Sequence, residues 1–236
     1  MESPGSDKLR AFALCLSVSG LIAFTLTAQN TQPSFENDQV VVNEPHPNTI
    51  DVPGAPKKAH EHKHNRVMVY MHLGGEYLHY LDGRTEDLKW HPGEVVWSPA
   101  NGPHYSEMKP DTPPFTGPMI VDIGIKKPGD PAKAATAMLD PLKVDPAHFT
   151  LELANPQVRV LRVKLGPGES SALCESSLNR LIVFITDANV AWTTADGKAR
   201  IAQHKAAEFA WSGPSKDKLK NLSDKPFEAV IVEFRS

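Results

Sequence analysis

Two stretches of this 236-residue chain decide its fold: Gly54-Ala55-Pro56-Lys57-Lys58-Ala59-His60-Glu61-His62 and, further on, Gly93-Glu94-Val95-Val96-Trp97-Ser98-Pro99-Ala100-Asn101-Gly102-Pro103-His104. The first places a glycine turn before a His-x-His pair. The second places a strand before a Pro/Gly turn that ends at another histidine. In a small β-barrel the two stretches can bring three imidazoles to one point, which is what a first-row metal site with open positions requires.

Together the two stretches resemble the paired motifs of the cupin superfamily, whose members fold as double-stranded β-helix (jelly-roll) barrels. The resemblance implies that His60, His62 and His104 hold a divalent transition metal, namely Fe, Mn, Zn, Cu or Ni. The family's glutamate ligand falls at a position where this chain has Arg66. A guanidinium cannot ligate, and its charge opposes a nearby cation. The alternative is a barrel that has lost its metal and binds an anionic or sugar-like ligand.

The chain also repeats itself at a constant offset of 114 residues. The repeated residues include Asn65, Arg66, Gly83, Glu94 and Trp97, which recur as Asn179, Arg180, Gly197, Glu208 and Trp211. A repeat of this length is too long for a solenoid unit. Two homologous barrels in one chain are the economical interpretation, and in the terms of the family such a chain is a bicupin.

We therefore expect an all-β protein of two tandem barrels, divided as a signal peptide at 1–28, an N-terminal barrel with the metal site at 29–126, a linker at 127–145 and a degenerate C-terminal barrel at 146–236. The many prolines and glycines favour turn-rich β structure over helices. At the offset of the repeat, His60 and His62 become Cys174 and Ser176. The second barrel therefore lacks the imidazole pair, and Cys174 is expected to be a buried, inert thiol.

The first 28 residues predict export. Lys8 and Arg10 precede an apolar run that extends from Ala11 to Leu26 and closes at Ala28, the pattern of a secretory signal peptide. The run falls short of the roughly 20 residues that a membrane-spanning helix needs. We therefore expect a periplasmic or secreted protein with no stable membrane association after cleavage. Cys174 would then be the only cysteine of the mature chain, which excludes an intramolecular disulfide.

Charge and composition limit the partners. The formal charge of −3 and the scattered lysines give no argument for nucleic-acid binding. We expect a small-molecule ligand instead, and the family resemblance implies a homodimer formed through sheet edges.

Alternation along a strand from His60 to Tyr70 would place every second side chain, including His64, Arg66 and Tyr70, on one face of the barrel. We therefore predict that Arg66, Tyr70 and His64 contact the substrate. His64 is not expected to ligate, because three alternate histidines on a strand span too far to hold one ion. Since the arginine occurs in both copies, a structural role is equally open, as a buried ion pair of Arg66 with Glu94 and of Arg180 with Glu208.

Three functions fit these observations. The first is a metal-dependent enzyme of oxygenase or isomerase type that acts on a small oxygenated molecule. The second is a non-catalytic periplasmic protein that binds a sugar or carboxylate. The third is a structural bicupin in which the sites are relics. Because one fold hosts many reactions, the sequence assigns no catalytic residue.

Overall fold

The computed structural model describes residues 33–44, 58–134 and 137–236. The predicted signal peptide and the turn at Gly54 lie outside the described residues. Strands dominate the described chain, so the all-β prediction is confirmed. No helix in this part of the chain is long and apolar enough to cross a membrane.

The first half forms two antiparallel sheets. One is five-stranded in the order β1-β2-β8-β3-β6, and the other is three-stranded in the order β5-β4-β7. The strands are β1 (Phe35–Glu36), β2 (Val40–Asn43), β3 (Asn65–Tyr70), β4 (Gly74–Tyr80), β5 (Thr85–Trp90), β6 (Val95–Ser98), β7 (His104–Met108) and β8 (Ile120–Ile125).

The second half repeats this plan after a 3₁₀ turn (Pro131–Ala134) and the short helix α1 (Pro141–Val144). Its sheets have the orders β15-β12-β17-β10-β9 and β11-β16-β13-β14. The strands are β9 (Phe149–Ala154), β10 (Val158–Leu165), β11 (Ser170–Ser176), β12 (Arg180–Phe184), β13 (Ala188–Thr194), β14 (Ala199–His204), β15 (Phe209–Ser212), β16 (Ser215–Asn221) and β17 (Phe227–Phe234).

The two halves share one apolar core. Branched residues, which favour pleated and half-buried surfaces, fill the facing sides of the two five-stranded sheets. This core joins Val67 and Ile123 of the first half to Val160, Leu181 and Val232 of the second. Each barrel also has its own apolar interior, around Tyr70 and Trp90 in the first and around Phe184 and Phe227 in the second. The five-stranded sheets therefore hold the barrels together, and the barrel interiors remain free to differ.

The polar contacts between the two halves are made by residues that repeat in the sequence. Asn65 Nδ2 donates to Gln157 Oε1 at 2.7 Å, and Asn179 Nδ2 donates to Gln39 Oε1 at 2.7 Å. Asn179 is the repeat of Asn65 at the offset of 114, and Gln157 corresponds to Gln39 in an upstream segment that repeats at an offset of 118. Each copy thus makes to the other the contact that it receives, which is the signature of a two-fold, self-complementary interface.

Candidate metal centre

The metal site is built from the segment before β3 and the first residue of β7. His60 and His104 face each other in an isolated antiparallel bridge, with His60 N donating to His104 O at 2.8 Å and His104 N donating to His60 O at 2.9 Å. His62 follows two residues later. One ring nitrogen from each of the three histidines lies within 4.8 Å of the others. The backbone pairing therefore determines how close the imidazoles lie, although they are far apart in sequence.

The hydrogen bond of His104 and the burial of His62 suit metal binding. His104 Nδ1 lies 2.9 Å from the carbonyl oxygen of Gly102, which can only accept, so Nδ1 carries the proton and Nε2 keeps its lone pair. Burial lowers the pKa of His62 to about 3, and the charges of Arg66, His60 and His104 act in the same direction. Neutral imidazole is the form that binds a metal.

The geometry also fits an ion. Nitrogens bound at about 2.0–2.1 Å to a tetrahedral metal lie roughly 3.3 Å apart, so side-chain adjustments of about an ångström close the site. His104 is buried, His62 is half-buried and His60 is exposed. The three rings thus form a cup that is open on one side, which leaves positions for a ligand or water.

Arg66 does not compete for this cup. Its side chain is buried, with Nη1 donating to Asp122 Oδ2 at 3.0 Å and Nη2 donating to Ser98 Oγ at 2.8 Å. The suggested partner Glu94 was wrong, because its carboxylate accepts a hydrogen bond from the His91 backbone N–H at 2.9 Å. The ion pair with Asp122 reduces the effect of the guanidinium charge on a cation in the cup without removing it, because that charge still helps to lower the pKa of His62.

Comparison with known proteins supplies the fold. No protein-family model matches the sequence, and no curated protein does either. Among solved structures, oxalate decarboxylase from Bacillus subtilis is similar at 12% identity and a TM-score of 0.53, over 84% of this chain and 68% of that chain. HEPD from Streptomyces albus, solved with 2-hydroxyethylphosphonate and Fe(II), is similar at 12% identity and a TM-score of 0.54, over 85% of this chain and 69% of that one. AerE from Microcystis aeruginosa is similar at 12% identity and a TM-score of 0.52, over 85% of this chain and 89% of that one.

This chain has the bicupin fold. At such low identity the similarity concerns the fold alone, and the function has to be argued from the site.

The other predicted site residues of the bicupin separate into two groups. Tyr70 lies inside the first barrel, stacked on Trp90 at 4.4 Å between ring centroids, and burial raises the pKa of its hydroxyl. His64 lies apart from the three histidines, and the charges that act on it come from Lys63, Lys126 and Glu36. The expected alternation does not reach His64, because β3 begins only at Asn65.

In the described part of the first barrel, the interior carboxyls of Asp122 and Glu76 escaped the sequence analysis. Asp122 pairs with Arg66, as described above. Glu76 on β4 is 7% exposed, and burial raises the pKa of its carboxyl to about 7, while Ser106 and Arg66 act in the opposite direction. The available signal was period-2 alternation from Tyr80, whose ring lies 5.3 Å from that of His104. This alternation predicts an inward-facing Glu76 only if the pairing of β4 with β7 is known, and the sequence does not reveal that pairing.

The interior of the second barrel differs from that of the first in the side chains at the positions of the metal site. Burial raises the pKa of the half-buried Cys174 thiol to about 12, so the thiolate that would ligate or react is disfavoured. Arg180 Nη2 donates to Ser215 Oγ at 2.6 Å, and the expected partner Glu208 was wrong, since Asp217 is the carboxylate 3.7 Å away. The interior keeps a mostly apolar cavity of about 60 Å³ that Pro141, the first residue of α1, helps to line.

Proposed function

We propose that this bicupin is exported and that its first barrel holds one first-row divalent metal ion on His60, His62 and His104. We further propose that the metal-loaded barrel acts on a small oxygenated molecule, in a reaction of oxygenase or isomerase type. The observation that carries the proposal is the convergence of three imidazole nitrogens within 4.8 Å in a cup open on one side. Export rests on the sequence pattern of residues 1–28 alone.

Each of the three histidines has a different role at the proposed metal site. His104 is fixed by its bond to the Gly102 carbonyl, so its Nε2 is already aimed before a metal arrives. His62 stays neutral at physiological pH because burial lowers its pKa. A bound ion would supply Lewis-acid polarisation of a substrate oxygen, or redox chemistry with O₂ if the metal is redox-active. His60, the exposed member, lies on the side from which a small molecule can approach.

The predicted substrate contacts differ in how well the geometry supports them. Arg66 has two of its nitrogens engaged by Asp122 and Ser98, and its Nε is buried. These bonds favour the structural role for Arg66 that the sequence left open. Tyr70 lines the same interior, and among the described residues its hydroxyl has Met68 Sδ, at 4.0 Å, as its hydrogen-bond partner. A ligand that penetrates to the floor of the barrel would offer this hydroxyl a stronger partner.

A second candidate is a barrel that binds a small ligand without catalysis. The observation in its favour is Arg66, which stands where the family's metal sites have a carboxylate ligand. Three neutral histidines bind a divalent ion less tightly than three histidines and a carboxylate, because the carboxylate adds an attractive charge. Ligand binding that persists after chelation would favour this candidate over the enzyme.

The test is metal content by elemental mass spectrometry on the mature protein, purified without a His-tag. We expect close to one first-row metal ion per chain after reconstitution, and loss of that ion in His62→Ala. His64→Ala is the matched control, because this histidine is two residues away but lies apart from the cup. Failure of Fe, Mn, Zn, Cu and Ni alike to bind the unaltered protein would overturn the metal site.

A further inference from the structure

Asn101 and Gly102 form the only Asn-Gly pair in the sequence. They lie in the loop at 99–103 that joins β6 to β7. Asn101 is exposed, and Gly102 has a φ of 91°, in the left-handed region that favours glycine. The loop leads directly into His104, the buried histidine of the cup. A chemical change in this loop would therefore occur next to the proposed metal site.

Two contacts tie this pair of residues to His104. The Gly102 carbonyl oxygen accepts from His104 Nδ1 at 2.9 Å and so orients the ring. The Asn101 side chain hydrogen-bonds with the hydroxyl of Tyr80, whose ring centroid lies 5.3 Å from that of His104. Tyr80 is also the cross-strand partner of His104. The direction of this imidazole therefore depends on the backbone of the loop at Asn101 and Gly102.

An asparagine followed by glycine is open to attack by the backbone nitrogen of that glycine. Glycine has no Cβ, so its nitrogen is unhindered and its backbone adjusts readily. The attack closes a five-membered ring within one chain, where the reacting atoms are already held close together. A Cβ at Gly102 would meet no atom within 4 Å, so the loop has room to adjust on this side.

The second barrel has no counterpart of this pair. Its strands β15 and β16 are joined by residues 213–214 alone, whereas the loop at 99–103 of the first barrel is longer. The short connection is Gly213-Pro214 and contains no asparagine. The extra residues, and Asn101 with them, occur only in the barrel that has the three histidines.

We propose that Asn101 is a site of spontaneous covalent modification that weakens metal binding by the first barrel; the effect on the metal rests on the proposed metal site. The backbone nitrogen of Gly102 forms a bond to Cγ of Asn101, and the Cγ–Nδ2 bond breaks. The amide leaves as ammonia with the proton of the Gly102 nitrogen. Water then adds to one carbonyl of the succinimide ring. Opening at Cγ gives aspartate, and opening at the backbone carbonyl gives isoaspartate, whose main chain runs through the side chain.

The two products act on the metal site in opposite directions. Isoaspartate adds one carbon to the main chain between positions 101 and 102, which displaces the Gly102 carbonyl from His104 Nδ1. Loss of such a partner of a metal-binding histidine costs about 10–100-fold in metal affinity. Aspartate keeps the main chain and adds a negative charge near the cup, which favours a cation. Isoaspartate is therefore the product that weakens the site.

The test incubates the full chain at mildly alkaline pH and follows conversion and Zn²⁺ binding on the same samples. Mass spectrometry of proteolytic peptides identifies the modified position and separates isoaspartate from aspartate. Competition with a chromogenic chelator gives the dissociation constant for Zn²⁺. We expect Asn101 to convert before any other asparagine, and the isoaspartate form to bind Zn²⁺ about 10–100-fold more weakly than the fresh protein. Asn101→Gln is the matched control, because its longer side chain would have to close a less favourable six-membered ring, and it should keep its affinity.

Asn101→Asp, measured fresh, separates the added charge from the lengthened main chain and should bind Zn²⁺ at least as tightly as the unaltered protein. A fresh variant as weak as the isoaspartate form would overturn the role of the main chain. An Asn101 that stays intact through the incubation would overturn the modification site. Conversion to isoaspartate with an unchanged dissociation constant would overturn the link to His104. Failure of the fresh protein to bind Zn²⁺ would overturn the metal site and that link, but not the conversion, which the peptides report independently.

Discussion

The two barrels of this chain share a frame and differ in chemistry. Both keep an interior arginine on equivalent strands, Arg66 on β3 and Arg180 on β12. Both also keep an aromatic stack, Tyr70 on Trp90 at 4.4 Å and Phe184 on His204 at 4.0 Å. The reactive groups of the first barrel are absent from the second. At the repeat positions of His60, His62, Tyr70 and Glu76 the second barrel has Cys174, Ser176, Phe184 and Val190. The shared residues therefore belong to the fold, and the unshared ones indicate the function.

The barrels also differ in that the second one is covered by the linker helix α1. In the second barrel Arg159 donates through Nε to Glu233 at 2.6 Å and through Nη1 to Asp140, which precedes α1. Asp145, at the other end of α1, accepts from Ala172 N at 2.8 Å. Both ends of α1 are thereby bonded to strands of the second barrel. In the described part of the first barrel, the three-histidine cup has an exposed member.

The largest expected effect comes from removing these bonds. Arg159→Met leaves the carboxylates of Asp140 and Glu233 buried without their cation, and we expect a loss of about 3–5 kcal/mol in the free energy of unfolding. Chemical denaturation measures it. The control is Lys205→Met, which removes a solvent-exposed ion pair with Asp187 and should leave stability nearly unchanged. If both variants unfold at the same denaturant concentration, the closure of the second barrel does not depend on Arg159.

The second expected effect is a pH dependence that only the first barrel produces. Burial raises the pKa of the Glu76 carboxyl from its ordinary value to about 7 in the folded state. The folded protein therefore binds the proton of Glu76 more tightly than the unfolded chain does. Its contribution to stability is full below about pH 4.5 and falls by about 3 kcal/mol as the pH rises to about 7. Denaturation of the metal-free protein between these pH values measures it.

Glu76→Val, which makes the position match Val190, should flatten this part of the stability curve. The other carboxyls titrate in both proteins, so the difference between the two curves isolates Glu76. A variant whose stability falls with pH as steeply as that of the unaltered protein would show that Glu76 is not the source.

What the sequence could predict follows from the range of the interactions. The fold was predictable from two local motifs and a repeat, and the three histidines from their place in those motifs. The partners of Arg66 were not, because Asp122 is 56 residues away on a strand whose register no local pattern reveals. The same holds for Glu76, since its facing inward depends on how β4 pairs with β7. For His64 the substrate contact stays a prediction, because β3 begins only at Asn65 and alternation along that strand does not orient position 64.

A smaller difference between the barrels lies in a turn. Gly93 and Ala207 occupy repeat positions with φ of 80° and 72°, the left-handed region that disfavours residues with a Cβ. We expect Ala207→Gly to stabilise the protein by about 1 kcal/mol and Gly93→Ala to destabilise it by at least as much. A Cβ at position 93 would also lie only 3.2 Å from Arg162 Nη1. Thermal unfolding of the two variants measures the effect, and a shift of the same sign in both would show that the two turns are not equivalent.

The smallest expected effect tests the two-fold relation itself. Asn65→Ala removes the hydrogen bond to Gln157, and Asn179→Ala removes the bond to Gln39; each loss should cost about 1 kcal/mol. The sites are separate, so the double variant should lose the sum of the two. Asn65 also accepts from Ala100 N at 3.0 Å, so its loss should be the larger. Equilibrium denaturation of the three variants gives these values. A loss confined to one asparagine would show that the reciprocal bonds are unequal, and that the interface between the barrels has diverged along with their interiors.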